Sequence, residues 1–309
     1  MGISLQEGDS LLVYFARIGE SLLVYFALLV YFAGGVHYYR RNCLDFMKGY
    51  SMDSLAKTIE DLSLNAWPSH QIQFYDGWLL RFSYFYTHRT NSVEQIGPSS
   101  IPLAEKITFC EEAYRKWGTP AIFKISPLLD PSFDQMLADK GYVVEHTVRN
   151  MILPLDASLL PDADAGSRTA PGTVELSSFI SSSWIEALFS LKGTTNIMHR
   201  QVVPSMYHAI PKDTICACVR DEHGRIISTG LGILDRNYIG IYAIHVHPSF
   251  RRMGIARRLV STILQEGRRQ GASRAYLQVV DDNAGAIALY ESLGFSHAYS
   301  DWFRVKHLF

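Results

Sequence analysis

Residues 238–260 read YIGIYAIHVHPSFRRMGIARRLV, and the reading of this stretch decides how the rest of the 309-residue chain is read. Residues 238–246 are β-branched, aromatic and almost free of charge, which is the composition of a strand covered on both faces. Pro248 has no N–H to give to a sheet ladder, so the strand is expected to end near His247. After the loop Pro248-Ser249-Phe250, the residues Ile255, Leu259, Ile263 and Leu264 recur at helical spacing with Arg257 and Arg258 on the outer side, which predicts a helix over 255–265. A tight basic loop entering a helix is an anion cradle, because the first-turn N–H groups lack intrahelical partners and sit at the positive end of the macrodipole. Gly254 and Ala256 are small where a phosphate would approach the backbone, and Arg251, Arg252 and Arg257 add positive charge. Met253 and Ile255 complete the cradle, into which a pyrophosphate would fit.

The spacing Arg251-x-x-Gly254-x-Ala256 resembles the R/Q-x-x-G-x-G/A acyl-CoA signature of the GNAT superfamily of N-acetyltransferases. It is not the dinucleotide fingerprint, which needs more glycines, nor a Walker loop, which needs Gly-Lys-Ser/Thr. The other reading of these residues alone is a basic helix start that binds nothing. Downstream, 275–280 (AYLQVV) predicts a strand, Asp281-Asp282-Asn283 a turn, and AGAIALYESLGF a helix that stops at Gly294. The resemblance implies that Asn283 bonds the cofactor and that Tyr290 lies near the CoA sulfur. It also implies that backbone N–H groups of about Ile244, His245 and Val246 polarise the thioester carbonyl. By residue type alone, Asn283 reads equally as a helix cap and Tyr290 as a core aromatic. A tyrosine with its ordinary pKa of ~10 is protonated at neutral pH and has a proton to give a thiolate. Tyr242 and His245 are candidate bases. Strand alternation sends them to opposite faces, so at most one is expected to face the acceptor. His245 has the better pKa for the task, while a lone histidine on a buried strand also reads as a satisfied core residue.

The resemblance covers 174–305 well and 52–155 weakly. Residues 52–155 repeat an order of strands and helices like that of the second half, yet the corresponding loop, IGPSSIP, has no basic cluster and no cradle signature. The expected fold is therefore α/β (α+β), a GNAT-like mixed sheet flanked by helices, twice in tandem, as in bacterial tandem-GNAT proteins. A degenerate half over 52–155 is joined by a linker over 156–173, rich in Asp, Ser, Pro, Ala and Gly, to a catalytic half over 174–309. The acceptor groove is expected near the 221–224 hairpin and the helices of 181–210.

Before residue 52 the hexapeptide LLVYFA occurs three times, at 11–16, 22–27 and 28–33. Residues 21–39 have no charged side chain and are followed by Arg40 and Arg41, which fits a membrane anchor with the remainder in the cytoplasm. The competing readings are a secretory signal, opposed by the acidic start, and an extension of little functional meaning. Elsewhere, 29 Lys and Arg against 30 Asp and Glu give no global charge that would suit a nucleic acid. Four cysteines without a CxxC pair and histidines without HExxH spacing give no reason to expect a metal, and suggest a reducing compartment such as the cytoplasm. The function these residues imply is transfer of acetyl from acetyl-CoA to a primary amine of a small molecule or peptide. The same cradle would equally serve a non-catalytic module that senses CoA or a metabolite.

Overall fold

The structure, a computed structural model, describes residues 52–156 and 172–308. The apolar 21–39 stretch and nearly all of the expected linker lie outside the described residues. The described residues fall in one compact unit, Phe46–Phe309.

The first part of the chain runs α1 (Met52–Ala66), β1 (Gln71–Tyr75), β2 (Trp78–Phe82), β3 (Val93–Gln95), α2 (Leu103–Lys116), β4 (Ala121–Ile125), α3 (Pro131–Asp139) and β5 (Val143–Pro154). The second part runs β6 (Val174–Ser177), α4 (Ser182–Lys192), α5 (Ile197–His208), β7 (Asp213–Arg220), β8 (Ile226–Asp235), β9 (Tyr238–Val246), α6 (Ile255–Arg269), β10 (Arg274–Val280), α7 (Ala284–Ser292) and β11 (Ser296–Lys306). The helices form where apolar residues recur at helical spacing: α1 buries Leu55, Ile59 and Leu62, and α6 buries Ile255, Leu259 and Ile263. Capping fixes their starts. Ser181 accepts from Trp184 N at α4, and Asp130 accepts from Ser132 N at α3.

All strands join one 11-stranded mixed sheet in the order β1-β2-β3-β4-β11-β5-β10-β9-β8-β7-β6. The order is nearly a palindrome about the β11–β5 pair. On one side β3 and β4 are parallel and β4 pairs antiparallel with β11; on the other, β9 and β10 are parallel and β10 pairs antiparallel with β5. Each half thus completes its sheet with the last strand of the other. An apolar core of Met151, Leu153, Ile239, Leu259, Ile263 and Leu277 with their neighbours lies under α6, and α4 and α5 cover a second core built on Trp184, Phe189, Tyr207 and Leu231.

Two local expectations are corrected. Residues 86–96 (YTHRTNSVEQI) read in sequence as one strand, yet only β3 forms, because Asn91 turns the chain: its Oδ1 accepts from Ser83 N and Phe85 N, and its Nδ2 donates to Thr87 O. Residues 295–305 (FSHAYSDWFRV) read in sequence as two short closing strands, but they form one, β11, bent by irregularities between His297 and Tyr299 and between Asp301 and Phe303.

Candidate active site

β9 and β10 pair in parallel only from Tyr238↔Arg274 to Ile241↔Leu277. Beyond Ile241, β9 continues to pair with β8 while β10 continues with β5, so the two parallel strands part and residues 242–246 show an edge that β10 does not occupy. In that segment the β8–β9 register shifts between Thr229↔His245 and Leu231↔Tyr242, giving β9 one extra residue. Ala243 takes a φ of +52° there, and the hydroxyls of Thr229 and Ser228 hold the carbonyls of Ala243 and His245 at 3.1 and 2.8 Å. The bulge cancels the alternation expected from sequence. Tyr242 and His245 therefore line one and the same cleft.

The loop after β9 enters α6 as the residue spacing predicts. Gly254 is the N-cap, at φ +82°, and Arg252 is also left-handed at +66°. A Cβ at Gly254 would strain that turn. Ile255 turns its side chain into the core, so it and Ala256 offer the cradle backbone N–H groups. Met253 packs against the same core, and Arg251 Nε reaches back to Val246 O at 3.4 Å, tying the loop to the end of β9. Arg257 is held away, its Nη2 donating to Ser292 O and Oγ at 3.1 and 2.6 Å at the end of α7.

Asn283 caps α7, its Oδ1 accepting from Ala286 N at 3.1 Å. Tyr290 is 8% exposed, packs on Phe295, and burial pushes its pKa up to about 12, so it stays a proton donor at neutral pH. Tyr242 is likewise pushed up to about 12 by burial, and its hydroxyl is bonded to that of Tyr276 at 2.7 Å. Gly240 makes that pair fit, because a Cβ there would lie 2.5 Å from Tyr242 Cε2 and 2.7 Å from Tyr276 Cζ. His245 is lowered to about 4, by burial first and then by the charges of Lys192 and Arg251, so its imidazole is neutral at pH 7.

The cleft is open to solvent on one side, and its free space, solvent at the mouth included, is about 520 Å³. Its floor is β9; its walls come from α4, from α5 and, unforeseen from sequence, from the first half through Trp67, Tyr86 and Arg89. No motif marks these three. Only the sheet's topology brings residue 89 beside Tyr242, with the guanidinium 5.9 Å from its ring. The 221–224 hairpin, where the groove was expected, does not line the cleft. Among the described residues, one group could hold a metal: the ligand atoms of His88, Glu145 and His146 lie within 4.8 Å of one another, and a 3.1 Å hydrogen bond already satisfies His88 and Glu145.

Residues 186–295 match the family described as Acetyltransferase (GNAT) family. The chain is 27% identical over 258 residues to an uncharacterized N-acetyltransferase, YobR, of Bacillus subtilis (strain 168), covering 82% of this chain and 100% of that one. The fold is similar to a GCN5-related N-acetyltransferase from Kribbella flavida, with a TM-score of 0.59, 16% identity, and coverage of 82% and 95% of the two chains. It is also similar to a tandem GNAT protein from the clavulanic acid biosynthesis pathway, with a TM-score of 0.52, 15% identity, and coverage of 69% and 74%.

Proposed function

From the GNAT acetyltransferase domain that this chain carries, we propose an acetyl-CoA-dependent enzyme that transfers acetyl directly to a primary amine of a small molecule or peptide. The halves of the proposal are 52–155, without a cradle, and 174–309, with one. The observation that carries it is the open edge at residues 242–246, which lies between an anion cradle at one end and a cleft on one face. A thioester laid along that edge would meet an acceptor from the cleft.

In this reading the first-turn amides of α6, at Ile255 and Ala256, hold the pyrophosphate, with Arg251 and Arg252 beside it. Backbone N–H groups within 244–246 bond the carbonyl oxygen as it becomes negative. The amine lone pair forms the C–N bond, the nitrogen sheds a proton that neutral His245 relays to water rather than keeps, its pKa being lowered to about 4, and the C–S bond breaks. Tyr290 donates its proton to the departing thiolate and regains one from solvent. Asn283 contributes through the helix start it caps and through its remaining amide. Tyr242, protonated and bonded to Tyr276, shapes the cleft floor rather than removing a proton. The work of such an enzyme belongs in the cytoplasm, with acetyl-CoA. Among the described residues, no helix is long and apolar enough to cross a membrane.

The test is release of free thiol from acetyl-CoA in the presence of a panel of amines, with the acetylated product identified by mass. Tight CoA binding in calorimetry with no thiol release against any amine would replace this reading by a sensor.

A further inference from the structure

Two cations meet in a cleft whose lining holds no anion; the carboxylate that Arg89 senses, Asp301, lies outside it, beyond Gln278 and Asn150. Arg89 Nη1 donates to the neutral Oε1 of Gln278 at 3.0 Å, and Lys192 Nζ donates to the Tyr86 hydroxyl at 3.1 Å while lying 4.2 Å from its ring centroid. No Asp or Glu is among the residues that line the cleft. The two charges sense each other: loss of water around the ammonium, and then Arg89, lower the pKa of Lys192 to about 8. Arg89 is half-buried and Lys192 is exposed at the mouth, so an anionic ligand entering the cleft would be met by a cation from each half.

Arg89 is also held in place. Its own carbonyl accepts from Arg81 Nη1 at 2.6 Å, and Gln278 is steadied in turn by Asn150 at 3.0 Å. The loop before it takes left-handed conformations at Tyr84 and Phe85, φ +51° and +56°, fixed by the buried Asn91. Non-glycine residues keep such conformations where the surroundings over-determine them, which is common where a side chain must be presented. One guanidinium N–H is used by Gln278 and the fork keeps further donors for a planar anion.

We infer that the acceptor is a small primary amine that also bears an anionic group, a carboxylate or a phosphate, bound by Arg89 and Lys192 while its nitrogen meets His245. This rests on the reading of the site as an N-acetyltransferase and narrows its substrate class. A polyamine or an aminoglycoside would bring several positive charges to a cleft that has two of its own and no carboxylate to receive them. The same field favours the neutral form of the bound amine, which is the nucleophile. The aromatic walls, with Trp67 and Tyr207 rings 4.7 Å apart, suit a compact ligand.

The experiment compares turnover of α-amino acids with that of the same compounds as carboxamides, and with O-phosphoethanolamine and spermidine. Loss of the carboxylate is expected to lower kcat/KM by about 10²-fold, the scale of a charge-assisted hydrogen-bonded pair. Preference for amino acids names a carboxylate; preference for O-phosphoethanolamine names a phosphate. Arg89→Gln and, separately, Lys192→Met are expected to raise the acceptor KM at least about tenfold and leave the acetyl-CoA KM unchanged. Equal or better turnover of carboxamides or spermidine overturns the inference while leaving the transferase reading intact. So does a rise in acetyl-CoA KM alone, which would give the cations to the cofactor. If no amine is acetylated, calorimetry with the N-acetyl amino acids and their methylamides decides: equal binding of the two sets sinks the inference, and loss of binding with the methylamides upholds it.

Discussion

At the entrance to α6, Gly254 leaves the first-turn amides open beside a run of arginines, whereas in the loop just before α2 the chain supplies an anion of its own to the backbone. There the carboxylate of Asp76 accepts from the backbone N–H groups of Ser100 and Ile101, at 2.9 and 2.8 Å, and Lys106 lies 3.5 Å from it. Those amide bonds, that of Ile101 first, hold the Asp76 carboxyl below its usual pKa. The wedge behind each entrance differs in the same way. Between β9 and β10 it opens on the cleft; between β3 and β4 it contains Lys124 in contact with Glu60 and, at 3.7 Å, with Asp301. Tyr299 and Asn150 add hydrogen bonds to Glu60 and Asp301. The comparison extends to the next helix. Asp130 and Asn283 both cap, and Gly141 and Gly294 both follow at positive φ, but the position seven residues after the cap is Leu137 in one half and Tyr290 in the other. Capping is thus common to the two halves, and the phenol belongs to one. The two halves differ in what fills the entrance and the wedge, far more than in backbone plan.

The sharpest way to break the comparison is Gly254→Asp, which writes into the second half the carboxylate that Asp76 provides in the first. Acetyl-CoA affinity should fall by about 10³-fold or more, since a Cβ at φ +82° and a negative charge both oppose the phosphates. Calorimetry on the folded variant checks it, and wild-type affinity would place the cradle elsewhere. Next in size, Lys124→Met should cost about 3–5 kcal/mol of stability by urea denaturation, because Glu60 and Asp301 stay buried without their cation. If acetyl-CoA affinity of the folded variant falls along with stability, the ion cluster supports the cofactor cradle as well as the core.

Tyr290→Phe makes the second half more like the Leu137 half. Cofactor binding should persist while single-turnover acetyl transfer slows by about 10²-fold, the contribution of a general acid. Unchanged transfer would make Tyr290 a core aromatic only. The smallest effect concerns pH. Burial pushes Glu94 up from 4.5 to about 7 and Asp301 to about 6, so the folded state binds these protons more tightly than the unfolded chain. Their contribution is full at low pH and is lost as pH rises through about 7. Burial lowers the pKa of Lys124 while Asp301 and Glu60 raise it, and with the net rise it stays charged across this window. Glu94→Gln should flatten stability between these pH values and gain on the order of 1 kcal/mol at pH 8. An unaltered pH profile would remove Glu94 from the account.

The strand, basic loop and helix of 238–269 were legible because each rests on local chemistry: Pro248 ends a ladder, Gly254 permits a turn, and apolar residues recur every three or four positions. The tandem plan was legible for the same reason, from repeated order. The shared face of Tyr242 and His245 was not. It depends on one inserted residue, Ala243, whose side chain gives no sign that its backbone is left-handed. Arg89 was equally silent, because nothing within YTHRTN relates it to a strand more than 150 residues away. Its role appears only when β5 and β11 cross between the halves.

That crossing also sets an order of events during synthesis. β4 can form early, but its antiparallel neighbour is β11, the last of the described strands, and β5 finds both of its neighbours only in β10 and β11. At ordinary elongation rates the first half waits on the order of ten seconds for those residues to leave the ribosome. Its strands therefore stay unpaired at one edge until β11 has been made, and contacts this distant in sequence form slowly. A nascent chain stalled before residue 296 would present two unfinished sheets to any chaperone nearby, and a protease would find both halves at once.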